Sequence, residues 1–333
     1  MKVYQFGLLG CGMVSVLHVG ALEQLPNARL HGVVGVSMQE SEAYAQKYGI
    51  KAYESFDAML ADPQIDAVCI CTPSMFHAEQ AIKALRAGKH VVLEKPMALN
   101  TAEADTILQA CEETGKLLTV IFQNRFSADV PKVRRLLEEN AFGKITLVNL
   151  NMRYWRSDEY FASSNWRGRK ACEGGGALMN QGIHGIDLLQ YLMGMPTVHC
   201  SSVKTMVHNV EVEDSALALV TYDNGAMGTI QGSTCTWPGF PRYLEIHGEK
   251  GFVTLRENRI EQLETPEEKL DLREQLNDMG ESFRKPEDHS SDLHAAQIAN
   301  LLDAIEGKAE LLVDAREGRK AIEIIETIYQ RSV

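Results

Sequence analysis

The chain has 333 residues, of which 33 are Lys or Arg and 45 are Asp or Glu, giving a formal net charge of −12 at pH 7. This length suits two domains, each able to bury most of its apolar surface. The acidic balance argues against nucleic-acid and anionic-membrane partners, because both require a basic face. No apolar run approaches the ~20 residues of a membrane span, so we expect a cytoplasmic protein.

The N-terminus, KVYQFGLLGCGMVSVLHVGAL, predicts a strand, a Gly-rich turn and a helix. Gly10 and Gly12 take the first two places of a G-x-G-x-x-G fingerprint, and Ser15 takes the third. In this context the turn places a dinucleotide pyrophosphate at the helix N-terminus. Gly10, Gly12 and Met13 are therefore candidate cofactor contacts, with a plain strand-to-helix turn as the alternative.

Apolar strands and helices then alternate to about residue 124. Continuously apolar strands separated by helices indicate a parallel sheet covered on both faces. Residues 1–124 are predicted to form a dinucleotide-binding Rossmann domain, a doubly wound α/β fold. Ligands bind such sheets at the carboxyl ends of the strands, and three segments are predicted there: Gly10–Gly12, Thr72–Pro73 and Glu94–Lys95–Pro96.

The end of the second predicted strand bears on the choice between NAD and NADP. An acid there binds the ribose 2′-hydroxyl and repels a 2′-phosphate. Gly35, Val36 and Ser37 provide no acid, and Ser37 suits either ribose. The nearest charges are Glu40 and Glu42, beside which a phosphate is poorly placed. NAD is therefore favoured over NADP.

The seven cysteines are an odd number and form no CxxC or Cys/His metal spacing. This favours buried thiols in a reducing compartment and predicts no metal site.

Residues 125–333 are expected to form a second, α+β domain. Its strands are longer and alternate in polarity, and turns such as Asp223-Asn224-Gly225 are typical of hairpins, which predicts a large, mostly antiparallel open sheet. We expect the helix after Gly174–Gly176 to pack on one face of this sheet. Residues 264–290 are charged and interrupted by proline, which predicts a mobile surface excursion.

The segment GGGALMNQGIHGIDLL carries Asn180, His184 and Asp187 at helical spacing, so an α-helix places them on one face. A histidine, with an unperturbed pKa near ~6.5, suits a group that accepts and returns a proton. An amide orients a hydroxyl but does not titrate. A packed structural histidine is the alternative for His184, and Asp187 is interpreted as structural. His77 is expected either to bind a ligand or to cap its helix.

The preceding segment, RYWRSDEYFASSNWRGR, is rich in Arg and aromatic residues. It predicts either one strand with a surface loop or a lid over a sugar, because aromatic faces cover pyranose rings and Arg binds carboxylate or phosphate. Arg153 is a candidate substrate contact.

The segments VVLEKPMALN and GGGALMNQGIHGIDLL together resemble the Gfo/Idh/MocA oxidoreductases, which include inositol dehydrogenases and glucose–fructose oxidoreductase. The likeness runs over nearly the full length, to the closing HAAQIANLLDAIEGKAELLVDAREGRKAIEIIETIY. It implies an NAD(P)-dependent enzyme that transfers a hydride between the nicotinamide and a secondary hydroxyl of a sugar, sugar derivative or cyclitol. It also implies a homodimer or homotetramer paired through the open face of the sheet.

By this resemblance, Lys95 lies beside the nicotinamide and the substrate, and His184 is the proton carrier. Thr72 and Pro73 line the nicotinamide ribose. Trp166 and Arg167 reach the cofactor in some members. The complete candidate set is Lys95 and His184 as catalytic residues; Asn180, Lys95, His184 and Arg153 as substrate contacts; and Gly10, Gly12, Met13, Ser37, Thr72, Pro73, His77, Glu94, Lys95, Trp166 and Arg167 as cofactor contacts.

One position departs from the common family pattern. Many members have Asp where this chain has Asn180, although Asn occurs in branches that include enzymes resembling UDP-N-acetylglucosaminuronic acid dehydrogenases. A dehydrogenase of a nucleotide-linked sugar acid is therefore an alternative, which Arg153, Arg156, Arg167 and Arg169 also favour. A catalytically silent NAD-binding sensor is an alternative of another class.

Overall fold

The structure, a computed structural model, describes residues 2–278 and 290–333. These residues divide into two compact units, 2–123 with 290–319 and 124–278 with 320–333. Among the described residues, no helix has both the length and the apolar character that crossing a membrane requires.

The strands of the described ranges are β1 (Tyr4–Leu9), β2 (Ala28–Val34), β3 (Lys51–Ala52), β4 (Ala67–Ile70), β5 (His90–Leu93), β6 (Leu118–Val120), β7 (Ile145–Arg153), β8 (Thr197–Lys204), β9 (Ser215–Thr221), β10 (Met227–Ser233), β11 (Tyr243–Gly248), β12 (Phe252–Arg256), β13 (Arg259–Glu264) and β14 (Lys269–Asp271). The α-helices are α1 (Ser15–Gln24), α2 (Met38–Tyr48), α3 (Phe56–Leu60), α4 (His77–Arg86), α5 (Thr101–Thr114), α6 (Asp129–Glu138), α7 (Asp158–Ala162), α8 (Lys170–Glu173), α9 (Ile183–Met193), α10 (Arg273–Asp278), α11 (Asp292–Ile305) and α12 (Ala315–Gln330). A π-helical turn (Ala177–Gly182) precedes α9, and short 3-10 turns occupy Ser74–Phe76 and Gln123–Phe126.

The first unit is built on a six-stranded sheet of order β3-β2-β1-β4-β5-β6. Every pairing in it is parallel. All four residues of β4 are buried, as expected of a strand covered on both faces. The order changes direction between β1 and β4, which is where ligands bind sheets of this kind. The predicted doubly wound Rossmann fold is confirmed.

Two helices of this unit, α2 and α5, begin and end at capping residues. The Ser37 hydroxyl accepts a hydrogen bond from the backbone N–H of Glu40 at the start of α2, and Asn100 accepts one from Glu103 at the start of α5. Gly49 and Gly115 end the same helices in the left-handed conformation. Local sequence therefore sets the ends of α2 and α5.

Helix α11 belongs to the first unit, although the sequence analysis grouped it with residues 125–333. Its side chains Ile298, Leu301 and Leu302 are buried in one apolar cluster with Leu8 of β1 and Leu22 of α1. The chain returns to the first unit because this apolar face is buried there.

The second unit contains an eight-stranded sheet of order β14-β13-β12-β11-β7-β10-β9-β8. Its pairings are antiparallel except for that of β7 with β10. Helix α9 packs on β7, whose inward residues Val148, Leu150 and Met152 are buried. The mostly antiparallel open sheet with a helix on one face is therefore confirmed.

The opposite face of this sheet carries large apolar side chains in contact with solvent. Leu147, Leu217, Leu219 and Met227 are between 41% and 61% exposed. Met227 of β10 pairs with Leu147 of β7 in the ladder, so the two lie side by side on this face.

The charged segment 264–290 begins with regular structure. Strand β14 pairs with β13 at the edge of the sheet, and α10 follows it. Residues 279–289 of the predicted mobile excursion lie outside the described residues.

Candidate functional site

The Gly-rich turn after β1 has a shape that only glycine allows at its first position. Gly10 has φ +97°, and a Cβ there would lie 2.8 Å from the Cys71 carbonyl oxygen. A Cβ at Gly12, in contrast, would meet no protein atom within 4 Å. The space beside Gly12, where the sequence predicts a pyrophosphate, is therefore open.

Ser15 takes the place of the third glycine of the fingerprint. Its hydroxyl donates to the Gly12 carbonyl oxygen at 2.6 Å and lies 2.9 Å from the Tyr44 hydroxyl. The serine therefore braces the turn from the protein side. Met13, in the same turn, is 65% exposed.

A carboxylate lies directly after β2. Glu40 Oε2 accepts a hydrogen bond of 2.7 Å from the backbone N–H of Val36. Ser37 is exposed and caps α2. The region predicted to meet the adenosine ribose therefore carries negative charge.

His77 connects the segments that follow β4 and β5. Its Nδ1 lies 2.7 Å from the Pro96 carbonyl oxygen and its Nε2 lies 2.8 Å from that of Thr72. The ring is buried, and burial lowers the pKa of His77. Thr72 itself donates to Gln80. His77 thus bonds to backbone groups of the predicted cofactor segments, in the manner of a supporting residue.

Glu94 is also buried, in a cluster with two histidines of the first unit. Its Oε1 lies 2.8 Å from His18 Nε2 and 3.9 Å from His294 Nε2, and its Oε2 accepts from the Lys95 backbone N–H at 3.3 Å. The carboxylate therefore joins α1, α11 and the backbone that carries Lys95. The Lys95 side chain itself is partly exposed.

The charges in this cluster are coupled. Burial disfavours the imidazolium of His18, but Cys71 and Glu94 outweigh it and raise the pKa of His18 to about 10. Burial also disfavours the Glu94 carboxylate, yet hydrogen bonds from His18 and His294 hold the pKa of Glu94 well below its usual range. The ligand atoms of Glu94 and both histidines lie within 4.8 Å of one another. The short contact between His18 and Glu94 has the geometry of a buried ion pair.

In the second unit, the helix that follows the Gly-rich run has an accessible patch in its N-terminal part. From Gly175 to Gln190, every residue is buried except Asn180, Gln181 and His184. The π-helical turn Ala177–Gly182 lies within this stretch, where the spacing had predicted a regular α-helix. The helix therefore leaves Asn180 and His184 accessible but buries Asp187, which helical spacing had predicted on the same face. Gln181 is accessible as well and was not predicted.

The patch is held by hydrogen bonds to neighbouring side chains. Asn180 Nδ2 donates to the buried Glu173 carboxylate. Gln181 Nε2 donates to the Tyr160 hydroxyl at 2.8 Å, and its Oε1 accepts from Arg156. Tyr160 and Glu173 were also missed, because nothing in their spacing connects them to Asn180.

The remaining predicted residues of this unit lie in the Arg- and aromatic-rich segment. The Arg167 guanidinium donates to the Tyr160 hydroxyl and lies 4.6 Å from the centre of the Trp166 ring. The Arg153 guanidinium lies 5.1 Å from the centre of the Phe240 ring. Arg167 thus joins the Tyr160–Gln181 network, while Arg153 contacts a different loop.

Asp187 is structural, in agreement with its interpretation. Arg125 donates to both of its carboxylate oxygens, at 2.6 Å and 2.9 Å. Both side chains are almost fully buried. Such a bidentate pair fixes α9 against the segment before α6.

A parallel sheet with a Gly-rich turn at its centre, and a second unit with an open sheet and one accessible helix patch, define a two-domain dehydrogenase fold. The model of the oxidoreductase family's NAD-binding Rossmann fold matches residues 4–122, and that of its C-terminal alpha/beta domain matches residues 134–332. The chain belongs to the Gfo/Idh/MocA family of oxidoreductases, which confirms the resemblance and the enzyme class.

Several relatives are similar over nearly the whole chain. The WlbA dehydrogenase of Bordetella pertussis, solved in complex with NADH and UDP-GlcNAcA, is 31% identical, with 99% of this chain and 97% of that chain covered and a TM-score of 0.87. Inositol 2-dehydrogenase of Rhizobium meliloti is 26% identical over 329 residues, 96% of this chain and 93% of the relative. The scyllo-inositol 2-dehydrogenase (NADP(+)) IolW of Bacillus subtilis is 28% identical over 341 residues, which cover 98% of this chain and 93% of the relative.

The Gly12→Ala variant tests the cofactor turn. The new methyl group meets no protein atom within 4 Å, so we expect a melting temperature within about 2 °C of the wild type. It fills the space where the sequence predicts a pyrophosphate, so affinity for NADH should fall roughly 10- to 100-fold. Calorimetric titration of NADH measures this, and wild-type affinity in the variant would contradict the assignment.

The Glu94→Gln variant tests the buried ion pair. Removing one charge leaves the other buried, so we expect the free energy of unfolding to fall by about 3 kcal/mol at a pH of about 6. The exposed Glu23→Gln on α1 is the matched control and should change it by less than about 0.5 kcal/mol. Denaturant titration across pH is the measurement.

The pH dependence of this difference follows from the two pKa shifts. Because the pKa of His18 is raised in the folded protein, its contribution to the free energy of unfolding is complete below the ordinary value of 6.5. This contribution is lost as the pH rises through about 10. Because the pKa of Glu94 is lowered in the folded protein, its contribution to the free energy of unfolding is complete above the ordinary value of 4.5. This contribution is lost as the pH falls. The difference between variant and wild type should therefore be largest between pH 4.5 and 6.5. A constant difference from acid to alkaline pH would refute the ion pair.

Proposed function

We propose that the protein transfers a hydride between a nicotinamide cofactor and a secondary hydroxyl, or the corresponding ketone, of a sugar, sugar derivative or cyclitol. One observation carries this proposal: in an otherwise buried stretch of helix, the accessible side chains are Asn180, Gln181 and His184. A fold stabilised by packing alone has no need of three polar side chains there. They are the groups that bind a hydroxyl and move its proton.

The cofactor would be held by the first unit. Backbone groups of Gly10–Gly12 and the start of α1 suit its pyrophosphate, and Met13 and the Thr72–Pro73 segment lie at the same strand ends. The proposed cofactor is NAD. The carboxylate of Glu40, bonded to the backbone directly after β2, would repel the 2′-phosphate of NADP. When bound, the nicotinamide accepts or returns the hydride.

The chain's own residues handle the proton and the oxygen. His184 would accept the hydroxyl proton at a ring nitrogen during oxidation and return it during reduction. The Lys95 ammonium would stabilise the negative charge that develops on the substrate oxygen. Asn180 would orient a neighbouring hydroxyl and would not take part in proton transfer. Glu94 and His77 would support Lys95 and the cofactor segments from within the protein.

A nucleotide-linked sugar acid is the second candidate substrate, and a specific observation favours it. Arg156 and Arg167 lie in the network that holds Gln181, and guanidinium groups bind carboxylate and phosphate. The similarity to the WlbA dehydrogenase, solved with UDP-GlcNAcA, supports the same candidate. The silent-sensor alternative finds no support among these relatives, which are named dehydrogenases.

We also propose that the protein is a homodimer or homotetramer that pairs through the open face of its second sheet. The exposed Leu147, Leu217, Leu219 and Met227 on that face support this. The cysteines are all free thiols, which supports a reducing compartment such as the cytoplasm.

The His184→Ala variant tests the proposed base. We expect kcat to fall roughly 10²- to 10⁴-fold because general-base catalysis is lost, with NADH affinity unchanged. The exposed His199→Ala, in β8 of the same unit, is the control and should retain wild-type kcat. The measurement is the steady-state rate of reduced-cofactor formation by each variant. A near-normal rate for His184→Ala would refute the assignment of His184 as the base.

The double variant Leu217→Glu/Leu219→Glu tests the interface. Charges on this face would have to be buried on pairing, so the mass measured by light scattering should fall by about twofold or more relative to the wild type. A wild-type protein that already runs as a monomer at micromolar concentration would exclude the interface.

A further inference from the structure

The carboxylate of Glu173 lies buried beside Asn180. Glu173 is the last residue of α8 and is 3% exposed. One of its oxygens accepts a hydrogen bond from the backbone N–H of Gly168, and the other accepts one from Asn180 Nδ2. A buried acid therefore contacts the very side chain that takes the place of the common family aspartate.

This contact shows which end of the Asn180 amide faces Glu173. Asn180 Nδ2 donates to Glu173 Oε1, so the NH₂ group of Asn180 faces Glu173. The carbonyl oxygen, Oδ1, is then directed away from Glu173. It accepts a hydrogen bond of 3.3 Å from Gln181 Nε2.

A cation fixes the other end of the same chain of hydrogen bonds. Arg156 only donates, so Gln181 must turn its Oε1 towards Arg156. Its NH₂ group is thereby directed to Tyr160 and Asn180. The hydrogen bonds run in one direction, from the Arg156 guanidinium through two amides to the carboxyl group of Glu173. Arg156 sets that direction because a guanidinium only donates.

We infer that Glu173 is a positioning residue that makes Asn180 present an acceptor oxygen, rather than a donor, to a hydroxyl of the substrate. The pair supplies the acceptor that an aspartate at position 180 would supply, with the negative charge moved to position 173. Proton transfer is left to His184. The inference rests on the proposed function in that it assigns the substrate's hydroxyl as the group Asn180 recognises.

The single variant Glu173→Gln should reverse the amide. The introduced glutamine keeps the Gly168 hydrogen bond only through its own carbonyl oxygen, so its NH₂ group meets the NH₂ group of Asn180. Asn180 relieves this contact by turning its NH₂ group away, at the cost of the 3.3 Å hydrogen bond that its Oδ1 accepts from Gln181. The substrate hydroxyl then meets a donor, and KM should rise roughly 10- to 100-fold with a smaller change in kcat.

The single variant Asn180→Asp should place two carboxylates in contact. Like charges at this distance disfavour each other, so we expect a melting temperature lower by about 5 °C or more and weak activity.

The exchanged variant Glu173→Gln/Asn180→Asp separates positioning from mere packing. It again has one acid and one amide: the introduced glutamine accepts from Gly168 and donates to the introduced aspartate, which presents an acceptor oxygen to the substrate. We expect KM to return to within about threefold of the wild type and the melting temperature to recover, so that the two changes are strongly non-additive.

Glu211→Gln is the matched control, because exposed Glu211 accepts from the Lys170 backbone N–H at the start of the same helix. It should leave KM, kcat and stability unchanged, and it should not rescue Asn180→Asp. An unchanged KM in Glu173→Gln, or an exchanged variant no better than Asn180→Asp, would overturn the inference. If the wild type turns over no alcohol, the proposed function fails. The melting temperatures still test the pairing of Glu173 with Asn180: non-additive changes in the exchanged variant support it, and additive changes overturn it.

Discussion

The buried carboxylate of Glu213 is the constraint on which the second unit's candidate site depends. It accepts hydrogen bonds of 2.8 Å and 2.9 Å from the backbone N–H groups of Gly176 and Leu178, and one of 2.8 Å from the Tyr329 hydroxyl. The first N–H groups of a helix have no partner within the helix, so this acid satisfies them from outside. A Cβ at Gly176 would lie 2.0 Å from the Glu213 carbonyl oxygen. This close approach therefore requires glycine at position 176. Burial raises the pKa of Glu213.

The anchored start and the π-helical turn together decide which side chains reach solvent. π-helical turns are rare and are frequently found at functional sites. Here the turn ends at Gly182, and the buried ion pair of Arg125 with Asp187 holds the helix just beyond it. Between these two fixed points, the patch of Asn180, Gln181 and His184 has little freedom. Rigid placement of this kind is what proton transfer needs, because the base must lie within hydrogen-bond reach of the hydroxyl.

The fold was predictable from sequence, and the candidate site only in part. Apolar strands, the turn at Gly10 and the hairpin turns predicted both sheets, since these signals are local. Helical spacing predicted that Asn180 and His184 would be presented together, but it could not reveal the π-helical turn or the hydrogen bonds that the distant Glu213 accepts at its start. Glu94 and His77 follow strands of the parallel sheet, and their position predicted contacts with the cofactor. In the structure their polar atoms bond to protein groups. Glu173 was missed because its relation to Asn180 arises only from folding.

The most direct test of the central claim is the initial rate of reduced-cofactor formation by the wild-type protein. NAD and NADP are offered in parallel with inositols, free sugars and a nucleotide-linked N-acetylglucosaminuronic acid. We expect turnover with one of these classes and a preference for NAD of about tenfold or more, as the carboxylate of Glu40 after β2 requires. Tight binding of NADH without turnover of any substrate in the panel would contradict the assignment of His184 and Lys95 as catalytic residues.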